Sequence, residues 1–138
     1  MVVDGQGGGI GRAVITALVP RIPADVHILA LGTNSIATSA MKKAGATHAA
    51  TGENAVVYNA ARADIIVGGI GIIAANSIMG ELSPEMARAI SESRALKILI
   101  PTDRCNLRVA GVVAATLDAR ISCAVELVLQ NLVSPYGA

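Results

Sequence analysis

Phenylalanine and tryptophan are missing from this chain, and tyrosine occurs only as Tyr58 and Tyr136. Single-stranded nucleic acids are held by stacking bases on aromatic faces, so no such platform can be built here. An excess of one charge is also missing: 11 Lys and Arg stand against 10 Asp and Glu, a formal net charge of +1, with no basic run. A nucleic-acid partner is therefore not expected. Cysteine is scarce, with Cys105 and Cys123 alone, which is too few for a disulfide framework, and both thiols are expected to be reduced. Together with His27 and His48 they show no ligand spacing such as Cys-x-x-Cys or His-x3-His, and no metal is expected. Long apolar runs are lacking too. The uncharged stretch around the centre, between Asp64 and Glu81, is interrupted by Gly68, Gly69, Gly71 and Asn76, so no membrane span is expected.

At 138 residues the chain is expected to be one domain, 1–138, the size of a minimal nucleotide-binding unit. Its 53% hydrophobic content then implies a sheet covered on both faces and a further apolar surface at a subunit contact, hence a homo-oligomer. No signal peptide precedes the first motif, and a cytoplasmic location is expected.

What is abundant is glycine, and it is concentrated at one place. Asp4-Gly5-Gln6-Gly7-Gly8-Gly9-Ile10-Gly11 follows a short apolar start and leads into the helical pattern of Ile10, Val14 and Leu18. Glycines let a backbone approach a pyrophosphate closely, and the free N–H groups that open the next helix supply donors at a positive dipole end. The spacing Gly5-x-x-x-Gly9-x-Gly11, with Ile10 between the last two, resembles the cofactor loop of the short-chain dehydrogenase/reductases. That resemblance implies that Gly5 turns the chain out of the strand, Gly9 faces the pyrophosphate and Gly11 lets the helix pack closely. It ends soon after the turn. The Tyr-x-x-x-Lys pair of those enzymes has no counterpart, since Tyr58 is followed at that spacing by Arg62, and Tyr136 stands too near the end.

Strand and helix patterns alternate along the chain. Met1 to Asp4 reads as a first strand and Arg12 to Val19 as helix, stopped by Pro20. Val26 to Leu31 is the second strand, and Ser35 to Ala44 a helix capped by Ser35 and ended by a left-handed Gly45. Residues 46–50 form a third strand, and Thr51 to Asn54 cap a short helix through Ala61. Ile65 to Val67 is the fourth strand. Ser83-Pro84-Glu85 opens a helix that runs to about Ser93, and Lys97 to Ile100 is the fifth strand. Leu107 to Val113 is expected as a sixth strand at the edge, ahead of an amphipathic last helix on Leu117, Ile121, Val125, Val128 and Leu132. The fold class is thus α/β, a three-layer doubly wound parallel sheet of order 3-2-1-4-5. Loops 4–11, 32–38, 68–83 and 101–106 are expected to converge at the carboxyl ends of the strands, where such sheets bind ligands.

In dinucleotide sites the second strand ends in an acid that takes the ribose hydroxyls, whereas here Gly32 is followed by Thr33, Asn34 and Ser35. Neutral donors, with Lys42 and Lys43 further along the helix, suit a phosphorylated ribose as in NADP or a mononucleotide phosphate. The alternative is that these residues only cap and turn the chain. Residues 101–106 place Asp103, Arg104 and Cys105 in one loop, where Arg104 would lower the Cys105 pKa if the two side chains meet, making Cys105 the candidate nucleophile. Asp4, Glu53 and Asn76 are further pocket candidates. The motifs Asp4 to Gly11, Ala30 to Met41, Thr51 to Asn54, Ala75 to Ser77, Ile98 to Pro101 and Cys105-Asn106 resemble, over nearly the whole chain, a group of short bacterial Rossmann-like proteins, domain of unknown function 3842. The resemblance implies fold and site location and no reaction. The expected function is a small nucleotide- or dinucleotide-binding protein, with NAD(P) favoured, on Gly5 to Gly11 and Thr33 to Ser35. The alternatives are a thiol-dependent enzyme acting through Cys105 and a non-catalytic regulatory or interaction module.

Overall fold

Successive side chains of a strand point to opposite faces, so a strand made of Val2 and Val3 can be fully buried only where both faces are covered. Both valines are almost inaccessible. In the computed structural model, which describes residues 1–133, they belong to the central strand of a five-stranded, all-parallel sheet of order 3-2-1-4-5. The elements are β1 (Val2–Asp4), α1 (Gly9–Leu18), β2 (Leu29–Gly32), α2 (Ser35–Lys43), β3 (His48–Thr51) and α3 (Glu53–Ala60). They continue with β4 (Ile65–Gly69), α4 (Pro84–Glu92), β5 (Leu96–Ile100) and α5 (Leu117–Val133), and two short 3-10 turns, Ile70–Ile73 and Ile78–Gly80, lie between β4 and α4.

Register sends Val2, Ala30, Val67 and Ile98 to one face, where Val14, Ile15 and Leu18 of α1, Met41 of α2 and Ile121, Val125 and Val128 of α5 close over them. Val3, Leu31 and Ile66 point to the other, against Val56 and Ala60 of α3 and Met86 and Ile90 of α4. Among the described residues no helix is long and apolar enough to cross a membrane.

The helix ends follow from local chemistry. Ser83 accepts from the Met86 amide at 3.2 Å with Pro84 in the first helical position, and Gly45, at φ 114°, ends α2. Four expectations are corrected. Asn34, not Ser35, caps α2, its Oδ1 accepting from the Ala37 amide at 2.8 Å, because the asparagine stands one residue nearer the strand in extended backbone. The α3 start has no side-chain cap, since the Thr51 hydroxyl is paired with that of Thr38 at 2.6 Å instead. Leu107 to Val113 is not a strand: the sheet ends at β5, and the segment runs as largely exposed chain with Gly111 at φ 83° breaking any extended run. Its valines supply β propensity, but propensity without a paired neighbour does not make an edge. β2 also starts later than expected, at Leu29. Tyr136 lies outside the described residues.

Candidate functional site

The order 3-2-1-4-5 reverses direction between β1 and β4, and at that point the carboxyl ends of neighbouring strands leave a crevice. The glycine turn fills its near side. Gly8 sits at φ 70° and donates to the Gly5 carbonyl at 2.9 Å, which closes the turn, while Gln6 is held left-handed at φ 47°. A methyl group added at Gly5 would meet Glu81 Oε2 and Thr33 Oγ1, each 2.7 Å away, and one at Gly11 would run into Met41 of α2 and Asp4. These two glycines are thus required for close packing. At Gly7 and Gly9 the same addition meets nothing within 4 Å, so these two face open space.

The amides of the turn divide in the same way. Asp4, at the end of β1, accepts from Gly5 N through Oδ1 and from Gly11 N through Oδ2, both at 2.7 Å. Gln6 N donates to Glu81 Oε2 at 2.7 Å. The Gly7 and Gly9 amides have no acceptor among the described residues, and Gly9 opens α1, so its N–H lies at the positive end of that helix.

Glu81, which sequence reasoning missed, ties the turn to the end of β2. Besides Gln6 N, its Oε2 accepts from the Thr33 hydroxyl at 3.1 Å, and its Oε1 accepts from Asn34 Nδ2 at 2.9 Å. Thr33 and Asn34 are therefore engaged by the protein itself, Asn34 on both ends of its amide, and Ser35 is exposed at the start of α2. The available signal was that Glu81 is the single charged residue between Asp64 and Glu85, in the loop after β4.

The turn and the loops after β4 and β5 together line a cavity of about 240 Å³, with Gly69, Gly71 and Met79 from the one loop and Thr102, Arg104 and Cys105 from the other. A methyl group at Gly71 would come within 2.5 Å of Cys105 Sγ, so the bare backbone there is what makes room for the thiol. Arg120 of α5 anchors this loop by donating to the Pro101 carbonyl at 2.9 Å. The family described as Domain of unknown function (DUF3842) matches residues 1–133. The chain belongs to that family. Neither a curated protein nor a solved structure matches it.

In this DUF3842 chain the structure brings together Asp4, Gly5 to Ile10, Arg104 and Cys105 around one cavity, keeps Gly11, Thr33 and Asn34 beside the turn, and leaves the other candidates elsewhere. Asp103 pairs with Arg108 at 2.8 Å on the exposed surface. Glu53 is exposed at the start of α3, and Asn76 is an exposed turn residue at φ 62° whose N–H donates to the Leu82 carbonyl. His27 and His48 stack on each other at 5.9 Å beside the amino ends of β2 and β3, away from the crevice. Lys42 donates to the Ala46 and Thr47 carbonyls at the far end of α2, so its ammonium is turned from the end of β2 where a ribose phosphate was expected.

Burial pushes the Asp4 carboxyl above its ordinary range, against the pull of the Gly11, Gly5 and Ile10 amides and with a smaller push from the Glu81 charge. The folded chain therefore holds this proton more tightly than the unfolded one. Stability contributed by Asp4 is fully present below about pH 3.8, its ordinary value, and is lost as pH rises through the folded value. The Asp4→Asn variant carries a constant mismatch, one amide nitrogen facing a backbone N–H, but no titration. The wild-type protein should consequently lose thermal stability relative to this variant as pH rises from about 3.8 through the raised folded value. A Tm difference that stays flat as pH rises from about 3.8 to neutrality would contradict the assignment.

Proposed function

We propose that this protein binds a nucleotide or dinucleotide, NAD(P) being the favoured class, with its phosphates on the amides of Gly7 and Gly9. The observation that carries the reading is that these two N–H groups, one of them at the amino end of α1, have no acceptor among the described residues and belong to exposed glycines of the turn at the reversal point of the sheet. Arg104, which lines the same cavity as the turn, adds positive charge. Asp4 and Glu81 already hold the inner amides, so the phosphates rest on the outer rim of the turn rather than deep within it. The cavity holds the group attached to the phosphates, with Cys105 on its wall. The reading extends to a homo-oligomer in the cytoplasm, the exposed apolar side chains of Ile36, Met79 and Val113, at 70%, 93% and 81%, supporting the subunit contact alone.

A thermal-shift panel of AMP, ADP, ADP-ribose, NAD, NADP and inorganic phosphate tests it. A ligand present at a hundred times its Kd should stabilise the fold by about 2.7 kcal/mol. No shift with any member at saturating concentration rejects the reading.

A further inference from the structure

We infer that Glu81 is the ribose-binding carboxylate of this site, and that the ligand's ribose therefore carries free hydroxyls rather than a 2′-phosphate. This rests on the nucleotide reading above. In open parallel sheets the ribose of a bound nucleotide lies between the glycine turn and the end of the second strand, where an acid accepts its hydroxyls. Here β2 ends without one. The tertiary structure delivers a carboxylate to that gap from the loop before α4: Glu81 is bonded to Gln6 on one side and to Thr33 and Asn34 on the other.

Three donors hold the group, two on Oε2 and one on Oε1, and a carboxylate offers about four lone-pair positions, so Oε1 keeps one for a hydroxyl. The carboxylate is only half-buried and is fixed in direction before any ligand arrives. Its delivery is conformationally costly, which is the second observation. Asn76, Ile78 and Met79 all sit at positive φ, 62°, 55° and 55°, and a β-branched isoleucine there is a genuine outlier. Backbone strain of this kind is retained where the surrounding structure needs one particular placement. That bend carries Ile78 over Gly5 and Glu81 onto the end of β2.

The charges select in the same direction. A 2′-phosphate on the ribose would face Glu81, with the Asp4 carboxylate close behind, and Lys42 is spent on backbone carbonyls at the other end of its helix. The cations on that side are Arg12 and Lys43, which line the open groove between α1 and α2 together with Ser35.

Titration calorimetry of the full chain with NAD and NADP, in wild type and Glu81→Gln, tests the assignment. Wild type should bind NAD about tenfold more tightly than NADP, and Glu81→Gln should shrink that ratio toward one. If Glu81 merely latches the loop, the variant weakens both ligands in proportion and the ratio stays put, which overturns the inference. A wild-type preference for NADP overturns it as well and points to the Arg12 groove. Should the variant fail to fold, wild type alone decides: ADP must bind about tenfold more tightly than 2′-deoxy-ADP, and equal affinities overturn the assignment. Failure of every nucleotide to bind wild type instead removes the nucleotide reading itself, and this inference with it.

Discussion

Replacing Gly9 by valine is expected to weaken nucleotide binding about a hundredfold, a loss of about 2.7 kcal/mol, and to leave the fold in place. The two halves of that expectation have separate causes. Gly9 is the first residue of α1 and its φ is not in the left-handed region, so a side chain is tolerated by the backbone. Nothing lies within 4 Å of the added Cβ, so no protein atom has to move. A β-branched residue also lowers the entropy of the unfolded chain, which offsets its weaker packing at an exposed helix start. What the valine adds is bulk at the exposed residue whose unpartnered amide, with that of Gly7, is proposed to take the phosphate, which must come within about 3 Å of nitrogen. Calorimetric titration with the best nucleotide of the panel, beside a melting curve of the same sample, reads both halves. Undiminished affinity in a folded Gly9→Val protein would remove the phosphates from the turn.

The second large effect lies in the opposite class of glycine. Gly32→Ala is expected to destabilise the fold by about 3 kcal/mol, at the upper end for overpacking, and to lower Tm by about 10 °C. Gly32 ends β2 directly beneath the first turn of α2. Its added methyl would collide with Thr38 Oγ1, and would lie 2.6 Å from Thr38 N and 2.7 Å from the Asn34 carbonyl. Two of those atoms are backbone, so a rotamer change cannot relieve the clash. Moving α2 away would strip the Ala37 amide from the Asn34 cap and disturb the Thr38 hydroxyl, which donates to the Asn34 carbonyl at 3.0 Å. Gly7→Ala, which meets nothing, is the matched control and should stay within about 0.5 kcal/mol of wild type in urea unfolding. Equal stability of the two variants would show that α2 does not sit down on the strand as described.

Much of the fold was legible because its signals are local. Ser83-Pro84-Glu85 starts α4 by the same hydroxyl, fixed φ and acid that would start a helix in any protein, and Gly45 ends α2 for want of a Cβ. The apolar runs of β1, β2 and β4 announced faces covered on both sides, and strand-helix alternation with right-handed crossovers leads to the observed strand order. Leu107 to Val113 misled because its valines have strand character, while whether a partner edge accepts them is decided by the rest of the molecule. At the end of β2, Asn34 and Ser35 are both good caps by type, and only backbone direction distinguishes them.

The site was legible in part for the same reason. That Gly5 to Gly11 forms a turn at a strand's carboxyl end is written in neighbouring residues, and so is the identity of the residues that open the following helix. Which of those amides remain available is a different matter. Gln6 and Glu81 are 75 positions apart, and their bond, together with the capture of Gly5 and Gly11 by Asp4, divides the turn into an occupied inner part and an open rim. The missing acid of β2 was missing only from its own stretch of chain.

Taken by itself, the order of residues determined the class of fold, the sheet order and the place of the glycine turn, because hydrophobic period, caps and turns act across a few neighbouring positions. The tertiary structure alone decided which donors are satisfied, where Glu81 stands and which glycines bear on packing rather than on open space. Those properties depend on distances between segments remote in sequence, and a hydrogen bond or a clash is settled within less than an ångström.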